Sequence, residues 1–453
     1  MINPVFWISV FFSLAASVYS LFDWKKGLIV FFLYIQVAGV LKRLMVWMGG
    51  VSNLEYNVYV GLEFVLLLSV VAGLLLSRTK DRAFFDKFAT YWVVALTIVI
   101  LFSIIRSVYP LRDAVTVSLL NYVPIVAIFC GEAADKGLMD KLKKMWVATA
   151  PVHALYEIEQ FFAGPFAFEK YFLETKNSLS GAVAAGFYRG IPLYDNAEVL
   201  YIHFAIALVV ILTNRRSFAG YLTIALILTA TVMTGNRGGI LIIFFAALLM
   251  KVYGSKLPYR EALSLGLFLG VLFGLDLFGG ILLSYVNNLI QINVGNSSFA
   301  ERLGTLGTLV PRIVGRENAL QNLTLLGLGF GTSGLSMAVL VNKGMNYTQV
   351  NRELYAHDLF GGILLDFGVV GAVVFFSLVF RVLREAARDR AAASESAIVI
   401  SSILVSVMLG GSYTLARSGF LVWFFAGNVL RKRKQGMISS ATAHRNSLRK
   451  RAL

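Results

Sequence analysis

Apolar runs of about 18 residues or more recur from end to end of this chain, long enough to cross bilayer hydrocarbon as helices. Window length predicts spans at roughly 4–22, 27–49, 58–77, 90–105, 114–131, 145–163, 197–213, 218–234, 239–254, 262–285, 359–380, 397–412 and 418–430. The pattern predicts an all-α polytopic membrane protein with about 12–13 transmembrane helices, the count turning on whether the first segment crosses. Two interruptions are too long for simple turns, 164–196 and 286–358. Loops beyond about 15 residues are usually functional or disordered. The second contains "LGTLGTLVPRIVGRENALQNLTLLGLGFG", Leu-rich with helical spacing, and predicts an interfacial helical element. No internal repeat or low-complexity linker divides the chain, so 1–453 reads as a single integral membrane domain with a basic tail at 431–453.

Composition agrees: 58% of residues are hydrophobic and 15% charged, against roughly 25% charged in soluble proteins. The single cysteine, Cys130, excludes an internal disulfide or a cysteine metal site and reads as a small core residue. The start, "MINPVFWISVFF", lacks a basic n-region, so the first segment is expected to be a retained helix. A net charge of +16 raises the question of nucleic acid, but 27 of the 41 Lys and Arg fall in alternate, shorter loops that include the tail. By the positive-inside rule that side is cytoplasmic. The excess then reflects topology and attraction to anionic membrane lipids, with no nucleic-acid partner. Both long loops and Arg237 fall on the opposite, external side.

Arg237, in "TGNRGGILI", stands between two apolar runs, and no Asp or Glu occurs between Glu198 and Glu261. One reading is a helix-end arginine snorkelling to the headgroups. The other is an anion site: a helix starting at Gly238 and Gly239 presents bare amides and its positive end, and a guanidinium grips phosphate with two parallel bonds. Arg189, Arg302, Arg312 and Arg316 lie on the same side. Arg302 and Arg316 have acidic neighbours, Glu301 and Glu317, as local partners; Arg189 and Arg312 have none adjacent. Together with Arg237 they are candidates to line one positive cavity suited to a pyrophosphate.

His357, in "YAHDLFGGILLDFGVVG", is either a hydrogen-bonded interface residue or a base near neutral pH. His153 and Glu157 share a helix face at i and i+4, as a structural pair or as lining of the same cavity. His203 reads as a satisfied helix histidine. "LGLGFG" lacks the strand and crossover of a dinucleotide site and reads as a tight turn. The external loops show no Asp-x-Asp and no metal-spaced cluster, and no Walker-type loop occurs, so neither metal nor ATP nor another cofactor is expected.

These stretches resemble the bacterial O-antigen polymerase and O-antigen ligase superfamily, over roughly residues 180–380. "GFYRGIPLYDNAE" resembles its Arg-x-x-Gly segment, with Asp195-Asn196 where Pro-Asn is usual. "TGNRGGILI" is similar to its Ser-Arg-Gly-Gly stretch, with Asn236 for Ser. "PRIVGRENALQNLTLLGLGFGT" resembles the external-loop pattern, with Arg312 at the arginine and Arg316 where Trp is common. "AHDLFGGILLDFGVVGAVVFF" resembles the His-Asn start and Gly-x-x-Gly middle, with Asp358 for Asn and Asp366 for Glu. The resemblance implies a GT-C-like fold in the bacterial inner membrane with a periplasmic active site. It implies a metal-independent, inverting glycosyltransferase whose donor is an undecaprenyl-diphosphate-linked glycan. Arg237, Arg312 and Arg189 would stabilise the departing diphosphate, and His357 would orient or deprotonate the acceptor hydroxyl. A polymerase is favoured, with a repeat unit as acceptor; the alternative is a ligase with lipid A-core as acceptor, and a transporter is less favoured. A chain-length regulator and a flippase are the implied protein partners.

Overall fold

The computed structural model describes residues 3–49, 51–77, 87–107, 111, 114–115, 118–119, 122–175, 183–184, 187–188, 192–194, 197–213, 217–234, 237–252, 325–326, 359–388, 393–409 and 419–432. The elements begin where the sequence supplies caps. In α1 (Pro4–Phe22) the Asn3 side chain accepts from the Phe6 amide at 3.1 Å, and its own amide group donates to the Met45 carbonyl at 2.7 Å. One residue thus starts α1 and ties it to the end of α2 (Trp24–Trp47). Asp23 caps α2 through Lys26 N–H, and Ser52 with Glu55 forms a capping box on α3 (Asn53–Leu76). After α4 (Lys87–Ile105) come a short helical turn at Val123–Val126, α5 (Ala127–Ala133) and the 28-residue α6 (Lys136–Ala163). The remaining helices are α7 (Ala167–Thr175), α8 (Ala197–Thr213), α9 (Phe218–Thr234), α10 (Arg237–Val252), α11 (Leu359–Arg388), α12 (Ala393–Leu409) and α13 (419–432). The strand pairing among the described residues is a two-residue antiparallel match of Val183–Ala184 with Phe187–Tyr188.

Five of the described helices are long and apolar enough to cross a membrane: Pro4–Phe22, Trp24–Trp47, Glu55–Leu76, Lys87–Ile105 and Asp366–Arg388. The first is the segment whose crossing was open in the sequence. Its serines 9, 13, 17 and 20 face inward against α2 and α3, while Phe11, Val18 and Phe22 point outward. That is how small residues let membrane helices approach closely with apolar side chains left to lipid. α6 starts nine residues before its predicted span and α11 continues eight residues past its own, both into charged sequence. The predicted span 262–285 lies outside the described residues.

The centre of the bundle is α13, with Phe420, Trp423, Phe424 and Phe425 all buried. Their rings meet Phe31 at 5.1 Å, Phe32 at 5.2 Å, Trp146 at 5.4 Å and Phe375 at 6.2 Å, so α13 touches α2, α6 and α11. A helix apolar all round is what burial at the middle requires.

At the end of the bundle predicted to be cation-rich, the buried and half-buried charges among the described residues include several pairs. Glu395 takes Lys143 at 2.7 Å and Lys432 at 2.9 Å, Lys25 bonds Asp135, and Arg431 donates to the Glu132 and Ala133 carbonyls. Asp135 also caps α6 by accepting from Leu138 N–H at 2.8 Å. Partial burial pushes its carboxyl up, but Lys25, the Leu138 amide and Arg431 outweigh that and hold it below its ordinary value. A carboxyl lowered in the fold contributes stability above its unfolded pKa and loses it as pH falls through the folded one. The contribution of Asp135 should therefore be complete at neutral pH, begin to be lost below about pH 4 and be gone once pH has fallen past the lower folded value. An Asp135→Asn chain should show a correspondingly flatter acid limb in thermal unfolding.

Candidate functional site

The inner face of α6 carries a polar cluster in an apolar bundle. Trp146, Ala150, His153, Glu157 and Gln160 follow one another at spacings of three and four, and all are buried. α2 contributes Gln36 and Arg43, both buried. Over their outer end lies α7, whose Glu169 is fully buried and organises the contacts. Tyr156 donates to Glu169 Oε1 at 2.5 Å, Gln160 to Oε2 at 2.8 Å, and the Phe166 amide to Oε2 at 3.2 Å. Arg43 Nε stands 3.3 Å from Oε1. Burial raises the Glu169 carboxyl above its usual range, although Arg43 and these donors pull the other way. Lys42, the neighbour of Arg43, lies over the rings of Phe172 (5.5 Å) and Tyr56 (5.9 Å), so two adjacent cations of α2 fasten α7 to the bundle.

The same arginine holds the far end of the loop. Its Nη2 donates to the Pro192 carbonyl at 2.7 Å, and Val40 N–H donates to the Leu193 carbonyl at 3.2 Å. Tyr194 then enters the bundle, stacked on His153 with centroids 4.8 Å apart. His203 Nε2 lies 2.7 Å from the Trp146 carbonyl. That atom can only accept, so in a neutral ring Nε2 carries the hydrogen and Nδ1 accepts from the Tyr194 hydroxyl at 2.9 Å. His153 Nε2 meets Gln36 Oε1 at 3.3 Å. His203 is thus the satisfied histidine its setting suggested. His153 and Glu157 do share a buried face, but no bond joins them, and neither Glu157 oxygen has a hydrogen-bond partner among the described residues.

Beside this anchored segment two helices begin. α8 starts at Ala197 and α10 at Arg237, one residue ahead of the predicted glycines. They pack together at their starts: a Cβ on Gly239 would lie 2.3 Å from the ring of Tyr201, which is itself buried. Glycine at 239 is therefore a packing requirement. Gly239→Ala should displace the two helix starts and lower stability by roughly 1–3 kcal/mol, read as thermal unfolding in detergent.

On the opposite flank α11 begins at Leu359, directly after His357 and Asp358, and is interrupted at Gly368 (φ 69°, ψ −167°), a region open only to glycine. The interruption releases Val370 N–H, which donates to the Leu325 carbonyl at 3.1 Å. Leu325 and Leu326 form a turn at the edge of the predicted "LGLGFG" turn. Before the break, Asp366 is buried, its carbonyl accepting from Ser103 at 3.0 Å and its carboxyl 3.4 Å from the Tyr122 hydroxyl.

Of the residues singled out from sequence, Arg237 is placed as the first residue of α10, its side chain outside the description. Arg189, Arg302, Arg312, Arg316 and His357 lie outside the described residues, as do most of 286–358. In sequence, Arg189 is three residues before the Arg43-anchored Pro192 and His357 is two residues before α11. Sequence reading missed Arg43 and Glu169. The available signal was the Lys42–Arg43 pair at the outer end of a span, where the topology rule disfavours cations. No group of three or more His, Cys, Asp or Glu among the described residues could hold a metal ion. The chain matches no family model and no curated protein. What fold and hydropathy define together is a multi-pass helical membrane protein, with a buried polar cluster under α7 and residues 192–194.

Proposed function

We propose that the chain is a membrane glycosyltransferase that polymerises undecaprenyl-diphosphate-linked repeat units into a cell-surface polysaccharide, on the periplasmic face of a bacterial inner membrane. The observation that carries the reading is the start of α10 at Arg237, its first turn packed on the first turns of α8. A helix start carries a positive end and unpaired amides, so a cation there meets an anionic headgroup with backbone donors beside it. The Pro192 anchor supports the same reading, because it fixes residues 192–194 on the bundle shortly before α8. Arg312, Arg302 and Arg316 join from the large external loop, and His357 from the start of α11.

In the reaction, an acceptor hydroxyl forms a bond to the anomeric carbon of the donor sugar as the bond to the lipid diphosphate breaks. The hydroxyl proton goes to His357, and the diphosphate leaves with its electron pair, held by Arg237, Arg312 and Arg189. Arginines supply here the charge that a divalent ion supplies elsewhere. The experiment is to incubate membranes with lipid-linked repeat units, with and without lipid A-core. Ladders of growing length without core support the polymerase; transfer to core alone supports the ligase. Absence of any new glycosidic bond in active membranes overturns both.

A further inference from the structure

α6 has a second face. Opposite the buried cluster, its exposed residues Lys141, Lys144, Ala148, Val152 and Leu155 recur at spacings of three and four, so they form one stripe along the helix. Two cations lie at one end and apolar side chains follow, with Val152 and Leu155 more than half exposed. From Lys144 to Leu155 the helix rises about 16 Å, close to one leaflet of a roughly 30 Å hydrocarbon core. The cations differ from their neighbours. Lys143, one position round the helix, is paired with Glu395, and Lys25 with Asp135. Lys141 and Lys144 face outward, where nearby Asp140 is also exposed, and neither has an ion-pair partner among the described residues. Two like charges one turn apart repel, and an anion between them reverses the sign of that interaction.

We propose that this stripe binds an anionic phospholipid, with the phosphodiester between Lys141 and Lys144 and an acyl chain along Ala148, Val152 and Leu155. The proposal rests on the membrane architecture and does not depend on the transferase reading. The buried side of α6 carries the Tyr194 and Glu169 contacts, so a lipid on this stripe braces the helix that holds the external segment.

The test uses the full chain in detergent, titrated with phosphatidylglycerol or with phosphatidylcholine of the same acyl chains, reading the shift of the unfolding midpoint. Phosphatidylglycerol should raise the midpoint and phosphatidylcholine should not. The apparent affinity for phosphatidylglycerol should fall about fivefold for Lys141→Gln or Lys144→Gln and about thirtyfold for the pair. The double Lys→Arg variant and the distant Lys170→Gln should behave as wild type. Each midpoint is compared with the same variant free of lipid, so a change in basal stability does not enter. Equal shifts from both lipids, an unchanged affinity in the double Gln variant, or the same lysine-dependent shift from inorganic phosphate alone would each overturn the site.

Discussion

Replacing Arg43 with methionine should release the external segment from the bundle while leaving the bundle folded. The substitution strands the buried Glu169 carboxyl without its cation and removes the donor to Pro192. Breaking one partner of a buried pair costs about 3–5 kcal/mol; the low end applies here because Tyr156, Gln160 and the Phe166 amide still serve the carboxylate. About 3 kcal/mol shifts the docked-to-open ratio by roughly 100-fold. Trypsin cleavage after Lys170, exposed on α7, should accelerate by that order when opening is fast relative to cleavage. The double variant Arg43→Met with Glu169→Gln removes the stranded charge and should recover most of the loss. Were the double variant as labile as the single one, the ion pair would not be what holds α7.

Arg237→Ala should lower polymer formation by at least about 100-fold, the loss typical of deleting a donor to a developing oxyanion, with membrane levels and unfolding midpoint close to wild type. Residue 237 is the first of α10, where a substitution leaves the helix ladder intact, so a folding defect is not the expected route. Arg237→Lys should recover only part of the activity, since an ammonium keeps the charge but loses the two-pronged geometry. The measurement is ladder length and yield from lipid-linked repeat units at equal protein. An alanine variant with normal ladders would leave the helix start as a snorkelling site and remove the basis for the proposed chemistry.

Much of the helical layout was legible because hydrocarbon forces every backbone polar group into a helix, and a helix long enough to cross leaves a long apolar run. Pro4–Phe22, Ala197–Thr213 and Phe218–Thr234 fall at the predicted residues for that reason. Ends were less legible where the helix outlasts the apolar run. α6 begins at Lys136 because Asp135 caps it, although its first turns hold four lysines and an aspartate. The start of α10 could be read from one isolated cation followed by two glycines. The cluster around Glu169 could not, because its members come from α2, α6 and α7, and pairing between separate helices leaves no local pattern. His203 and His153 were legible as buried helix residues, but the Tyr194 ring between them came from a loop whose aromatic residues had no predicted place.

The helix at the middle of the bundle follows every other described helix in the chain. Until residues 419–432 are in place, Phe31, Phe32, Trp146 and Phe375 lack their partners Phe420, Phe424, Phe425 and Trp423. Packing of α2, α6 and α11 at the centre therefore waits on α13, so a copy truncated before residue 419 should differ from a full one in how far those rings are buried.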